Sequence, residues 1–435
     1  MSGAARIVGN SLIVTILIFL ALAVIELAAR IVDTPNAERK KQQQTSTISK
    51  EAIDNIIKNI AIAYDGRYTE EQILKMFPLL QDQLRYRPWI QIGNADHNNP
   101  FSVVEKGIRK SLASGKCAEA SGPGKGAEGK SEVIWFYGGS TVYGIGVPWW
   151  DTIPSKFVEE ADRSGVCIIA VNYGVPYHYS RQEAIYFASN LMNEPRPDAV
   201  VFLDGLNEFF QPGSTIRAEP FFTPTLDKLV PVGSEPGADS RTNQTPGILS
   251  RLSSLARNLQ ALRWLGLSPG PTDSIAIREE AYSNRNPPDS KALATDEQVS
   301  QAIVDRYLAT RRFLSKLCES YGTKCFQFLQ PVPAVDYRPQ ASEVVTEPAR
   351  KLPEPANRFV TGYSILRKHF AAKDAPCAAE PKGMVEVDLS SLFKSYDGIP
   401  YVDYGHYAPR ANKLIAAEMS RCVLARSEAA RGPGE

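Results

Sequence analysis

A serine at the end of an apolar run, Trp135-Phe136-Tyr137-Gly138-Gly139-Ser140-Thr141, and a distant Asp403-Tyr404-Gly405-His406 tract have the residue types and spacing to do chemistry together. A serine hydroxyl is a weak nucleophile until an imidazole takes its proton, and a carboxylate that fixes the imidazole tautomer makes that base effective. Ser140, His406 and Asp403 supply these roles as nucleophile, base and orienter. Asp403 and His406 sit just before a helix opened by Pro409, so both side chains can project to one side.

Such residues need a scaffold that brings distant segments to one edge. The runs Val133–Tyr137, Val166–Val171, Ala199–Leu203, Cys325–Leu329 and Met384–Val387 are short and almost wholly apolar, as suits strands covered on both faces. Helical spacing separates them at 153–164, 180–193, 299–320 and 358–371. Ser180-Arg181-Gln182-Glu183 reads as a capping box, and Ile303, Tyr307, Leu314 and Leu317 fall on one stripe. Strand and helix alternation predicts an α/β fold, a flavodoxin-like three-layer α/β/α sandwich with five parallel strands. In such sheets ligands bind beyond the carboxyl ends of the strands. The first three strands run into Gly138-Gly139-Ser140, Asn172-Tyr173-Gly174 and Asp204-Gly205-Leu206-Asn207-Glu208, and the fifth leads to Asp403 and His406. Attack on an ester carbonyl creates an oxyanion, for which the Ser140 and Gly174 backbone N–H groups and the Asn207 side chain are candidate donors.

The blocks Gly138-Gly139-Ser140, Gly174, Gly205-Leu206-Asn207-Glu208 and Asp403-Tyr404-Gly405-His406 resemble, in order, the four blocks of SGNH/GDSL hydrolases. The resemblance covers about 133–425 without an insertion. It implies Ser140 as nucleophile, His406 as base, Asp403 as its orienter, and Ser140, Gly174 and Asn207 as the oxyanion hole. It also implies deacylation or transacylation of lipids, glycans or small esters without a cofactor. In two places the chain departs from the family pattern. Gly139 stands where the first block usually has aspartate, and Glu208 where the third often has aspartate. A Gly-x-Ser-x-Gly elbow is excluded by Val142.

With 435 residues, 43% hydrophobic and 22% charged, the chain can build one large domain with extensions. A formal net charge of +1 offers no basic field, so no nucleic-acid partner is expected. Ile7 to Ile25 carries no charge. At about 1.5 Å per residue it just spans a ~30 Å hydrocarbon layer. It reads as an N-terminal transmembrane helix within 1–32, with a cleaved signal peptide using Ala21-Leu22-Ala23 or a buried core helix as alternatives. Arg30, Arg39, Lys40 and Lys41 after the span place the body in the cytosol if flanking charge alone decides. Long domains translocate despite such charge, and six cysteines form an even set suited to an oxidising compartment, so an extracytoplasmic catalytic domain is expected. Cys318 with Cys325 can close a short loop and Cys377 with Cys422 a longer one, with buried free thiols as the alternative.

Beyond the anchor the expected order is a linker over 33–50, a helical and loop extension over 51–131, the catalytic domain over 132–425, and a disordered tail over 426–435. Within the extension, 51–64 and 69–85 have helical spacing, and 111–131 is a Gly, Ser, Lys and Ala-rich loop. An insertion over 211–298, with one amphipathic segment at 248–265, is either a lid over the site or a plain surface excursion. Trp149 and Trp150 are either a substrate platform or core, and His178 either lines the site or lies at the surface. His97 and His369 are expected to be structural or exposed, and no zinc site is expected. The expected activity is that of a membrane-anchored serine esterase cleaving or transferring an acyl group, acetyl by preference, on an extracytoplasmic glycan or lipid. Its rivals are a degenerate glycan-binding or scaffolding protein and a peptidase using the same triad.

Overall fold

The computed structural model describes residues 61–76, 83–120, 131–209, 295–337, 356–371, 377, 383–402 and 405–429. In chain order the extension supplies α1 (Glu70–Met76), hairpin strands β1 (Leu84–Arg87) and β2 (Gln91–Asn94), short strands β3 (His97–Asn98), β4 (Val103–Glu105) and β5 (Ile108–Arg109), and α2 (Gly115–Ala120). The main body follows with β6 (Glu132–Gly138), α3 (Ser140–Tyr143), α4 (Ile153–Arg163), β7 (Ile168–Asn172), α5 (Ser180–Asn193) and β8 (Ala199–Asp204). It closes with α6 (Asp296–Tyr321), β9 (Lys324–Leu329), α7 (Ala356–Ala371), β10 (Met384–Asp388) and α8 (Pro409–Ala429).

The large sheet runs β10-β9-β8-β6-β7-β5-β4-β3. From β6 to β10 every pairing is parallel, and numbered along the chain these strands lie 2-1-3-4-5, the flavodoxin order. Alternate side chains of β6 show why its apolar run is continuous. Ile134 and Phe136 pack with Phe157 and Ala161 of α4 and with Ile415 and Met419 of α8. Trp135 and Tyr137 face the other way, onto Phe187 and Leu191 of α5 and Leu314 of α6. Both faces are therefore dry, and a period-2 polar alternation would place charge in one core or the other. On the second face α7 extends the cover by packing Phe359, Tyr363 and Leu366 against Val299, Ile303 and Tyr307 of α6. Strand order reverses at β6, whose neighbours are β7 and β8, so the segments following β6 and β8 open the crevice of a doubly wound sheet.

The parallel strands and the helices between them form where expected, and several other expectations change. The sheet has eight strands among the described residues, because β5 joins β7 antiparallel at Arg109↔Asn172 and carries β4 and β3 with it. Of the helical spacing over 69–85 the described part is α1, residues 77–82 lie outside the described residues, and Leu84 already begins a strand. The β1–β2 turn has Trp89 at φ 72° and Gln91 at φ 66°, so it lacks the Asn-Gly or Gly-Gly signal of a tight hairpin. The 111–131 loop contains α2. Ser180 is the first residue of α5 rather than its N-cap, since Tyr179 holds that position without a side-chain cap. A capping box does occur at α6, where Thr295 accepts from the Gln298 N–H and the Gln298 side chain returns the contact. The insertion accordingly ends at Thr295, and α8 runs into the expected tail as far as Ala429. The expected transmembrane helix, the linker and most of the insertion, its 248–265 segment included, lie outside the described residues. Among the described residues no helix is long and apolar enough to cross a membrane.

All six cysteines pair, as Cys117–Cys167, Cys318–Cys325 and Cys377–Cys422. Cross-links of this kind restrict the unfolded chain, and the two with sequence separations of 50 and 45 residues each contribute about 2–4 kcal/mol. Native protein is expected to show no titratable thiol, and reductant to lower the unfolding midpoint. An unchanged melting curve beside full thiol release would contradict that contribution.

Candidate active site

Ser140 is buried at the start of α3, directly after β6 and its N-cap Gly139. Its N–H is the first of the helix and has no intrahelical acceptor by position. Across the switch point, the segment after β8 brings Asn207 down onto Gly139. A Cβ on Gly139 would lie closer than 3.0 Å to Asn207 Nδ2. The Asn207 amide donates to the His178 carbonyl at 2.6 Å, and the Glu208 carboxylate accepts the Ser180 N–H, so two adjacent residues clasp the 178–180 segment. Gly139 is the residue that admits Asn207, and the longer Glu208 reaches a helix N-terminus, where a carboxylate is favourably placed. Gly139→Ala is expected to displace Asn207 and reduce ester turnover by about 10²-fold, the scale of a lost oxyanion donor. Steady-state kinetics beside a melting curve checks this, and full activity in the folded variant would contradict the placement of Asn207.

Gly174 also reaches the Ser140–Tyr143 helix, for a Cβ there would meet the Tyr143 backbone N below 3.0 Å. Its N–H differs from expectation, because it is already donated to Asn172 Oδ1 at 2.9 Å. This is an Asx turn, the short side chain of Asn172 closing onto the backbone two residues on. The Asn172 amide then donates to Val142 O at 3.0 Å, and Asn94 Nδ2 donates to Gly174 O at 2.9 Å. Asn172 thus ties β7 to the turn carrying Ser140, and Asn94 ties β2 to Gly174, roles with no separate sequence signal.

His406 is buried in a loop braced from several sides. Val402 N donates to His406 O at 2.9 Å, Tyr401 bridges Tyr407, and Ala408 N donates to Pro400 O at 2.8 Å. The Tyr407 hydroxyl donates to Pro331 O at 2.7 Å, fixing the loop to the segment after β9. Gly405 lies on Leu206, the neighbour of Asn207, with room for no Cβ between them. The His406 loop and the Ser140 turn therefore meet neighbouring residues of the same 205–209 segment, Leu206 and Asn207. Asp403 and Tyr404 lie outside the described residues.

Below this segment β8 ends in Asp204, which accepts from Tyr307 Oη at 2.8 Å, Gln327 Nε2 at 2.7 Å and the Arg311 guanidinium. Glu183 and Glu208 share the buried space with Arg311 and Arg306 as the nearby cations. Burial first and the Asp204 charge second push the Glu183 carboxyl well above its ordinary range, and the same two causes raise Glu208. Glu183 Oε2 lies 4.0 Å from the Arg311 guanidinium, within the same cluster. A raised folded pKa contributes stability that is fully present below the unfolded value and is lost as pH rises through the folded one. Glu183→Gln is therefore expected to flatten the fall in unfolding midpoint as pH rises above about 5, past the ordinary range of a glutamate. Parallel profiles for wild type and variant would contradict the assignment.

His178 is buried rather than at the surface, its Nε2 donating to Ile92 O at 2.7 Å, and burial pushes it down to about 4. Its backbone carbonyl, not its ring, serves the site. His97 Nε2 lies 2.8 Å from Ser102 Oγ, and His369 lies 3.4 Å from Glu386. Trp149 and Trp150 contact each other edge to face, with Lys110 over Trp149 and the Trp150 N–H donated to Tyr68 at 3.1 Å. These are packing contacts within the fold. Among the described residues no group of His, Cys, Asp or Glu is arranged to hold a metal ion.

No protein-family model matches the chain, and no curated protein matches it. Solved structures do. An acetylxylan esterase from Geobacillus stearothermophilus is similar at 11% identity, with 67% of this chain and 94% of that chain covered and a TM-score of 0.30. A member of the lipolytic G-D-S-L family from Veillonella parvula is similar at 11% identity, over 68% and 98% of the two chains, with a TM-score of 0.33. A carbohydrate acetylesterase from Sinorhizobium meliloti is similar at 9% identity, over 68% and 100%, with a TM-score of 0.33. Likeness at these scores decides nothing about which residues act.

Proposed function

We propose that this chain is a serine esterase of the SGNH/GDSL type, cleaving or transferring an acyl group, acetyl by preference, on a glycan, lipid or small ester. The observation that carries this reading is the seating of Asn207 on Gly139, immediately before Ser140, with the His406 loop resting on the neighbouring Leu206. Ser140 Oγ attacks the ester carbonyl while its proton passes to His406, whose ring Asp403 orients. The carbonyl oxygen becomes an oxyanion, supported by the Ser140 N–H and the remaining Asn207 amide hydrogen. The C–O bond then breaks, His406 returns the proton to the departing alcohol, and acyl-Ser140 remains. Water or an acceptor hydroxyl attacks that ester, again losing its proton to His406, and restores the serine. Gly174 would join the oxyanion hole only by releasing Asn172, so two donors suffice in this scheme.

The three disulfides support a body in an oxidising compartment, and with the apolar stretch from Ile7 to Ile25 they favour a membrane-anchored, extracytoplasmic enzyme. Assay of a short chromogenic acetyl ester beside its matched amide tests the reaction class. Turnover of the ester alone is expected. Preferred cleavage of the amide would favour a peptidase, and inertness of the folded protein toward both would contradict catalysis.

A further inference from the structure

The turn that follows the nucleophile helix is built on two glycines in the left-handed region, Gly144 at φ 87° and Gly146 at φ 78°. Lying outside any helix or strand, its buried carbonyls need donors from elsewhere. The extension supplies them. Arg109 of β5 donates to Gly144 O at 3.1 Å and to Val147 O at 2.8 Å, and the Tyr64 hydroxyl donates to Gly146 O. Tyr64 is fully buried and reaches further, because its cluster contains Val147 of this turn together with Val402 and Ala408 of the His406 loop. Val402 N donates to His406 O at 2.9 Å, and Ala408 N to Pro400 O at 2.8 Å, so residues on both sides of His406 rest in that cluster. Tyr68 meets the Tyr64 ring edge to face at 5.8 Å and donates to Asp151 Oδ2 at 2.5 Å. The Asp151 carbonyl in turn accepts from Asn412, early in α8, at 3.0 Å. One aromatic side chain of the extension therefore bridges the turn behind Ser140 and the loop that carries His406.

We infer that Tyr64 is a positioning residue, its hydroxyl holding the nucleophile turn and its ring the base loop, so that Ser140 and His406 keep one relative placement. Glycine allows this turn more backbone freedom than other residues would, and a misplacement of about 1 Å at a reacting group costs about 10²-fold in rate. Tyr64 acts only through Gly146 on one side and the Val402 and Ala408 cluster on the other. Its part in turnover rests on the esterase reading, whereas the tie between turn and loop does not.

Tyr64→Phe in the full chain keeps the ring in its cluster and removes only the donor to Gly146 O. With a short acetyl ester its kcat is expected to fall about 10 to 10²-fold at nearly unchanged KM, and fluorophosphonate labelling of Ser140 to slow by a similar factor. Hydrogen exchange read by mass spectrometry should quicken in both 140–147 and 400–408 by about three- to tenfold, the scale of one lost neutral hydrogen bond. Val402→Ala, made on the loop side, should quicken 140–147 as well, and it decides the tie if Tyr64→Phe does not fold. Cys318→Ala with Cys325→Ala, at the amino end of β9 and away from the site, should lower the unfolding midpoint and leave kcat unchanged. Full kcat in folded Tyr64→Phe beside an active wild type would overturn the positioning role and leave the esterase reading standing. A comparable loss of kcat in the cysteine control would assign the effect to lost stability and overturn the role as well. A wild type inert toward the ester would overturn the esterase reading and with it the part in turnover, and exchange then decides the tie alone. Faster exchange confined to one of the two segments would overturn the tie in either case.

Discussion

Ser140→Ala is expected to lower turnover of a short ester by about four to six powers of ten, to the level left by transition-state binding alone. The magnitude follows from what the hydroxyl supplies. Without Oγ no acyl-enzyme can form, and the reaction falls back on direct attack by water. The oxyanion donors remain, so activity above the uncatalysed rate of roughly 10³-fold can persist. Folding should be little affected, because the turn is held by other groups. Backbone bonds run from Gly144 N and Ile145 N to Ser140 O, and Asn172 and Arg109 add side-chain bonds to the same turn. An unchanged melting curve beside lost turnover is the expected pair of results.

His406→Asn is expected to produce a loss of similar size, about 10³ to 10⁶-fold, because a serine with no base is no longer a useful nucleophile. Asparagine keeps hydrogen-bonding capacity in the braced loop but cannot carry the proton. The double variant should then be scarcely worse than either single one, since the two residues act as a unit and their losses do not add. Additive losses would mean that His406 serves some step other than activation of Ser140. Kinetics of the two single variants and the double variant, each with its melting curve, separates these cases.

The parallel sheet was legible because its strands are buried on both faces, which writes them as unbroken apolar runs such as Ala199-Val200-Val201-Phe202-Leu203 in β8. The strand-end segments were legible for a related reason, as glycine and polar residues follow directly on those runs. What was not legible depends on partners remote in sequence. Strands β3 and β5 have two residues each, too few to show any period. Trp89 and Gln91 adopt positive φ in a turn without glycine, so the β1–β2 hairpin carries no local signature. Ser180 resembled an N-cap, yet its N–H is taken by Glu208, a residue 28 positions away. Gly174 stood in a suitable place for an oxyanion donor, but Asn172 two residues earlier already accepts its N–H. The seat of Asn207 on Gly139 joins two strand ends that only the crossover brings together.

The most direct measurement of the central claim is labelling with a fluorophosphonate, which reacts covalently only with an activated serine, followed by mass spectrometry of the modified peptide. Wild-type protein is predicted to take up one label, on Ser140, and Ser140→Ala none. A demonstrably folded wild type that stays unlabelled, or a label that persists in Ser140→Ala, would contradict it.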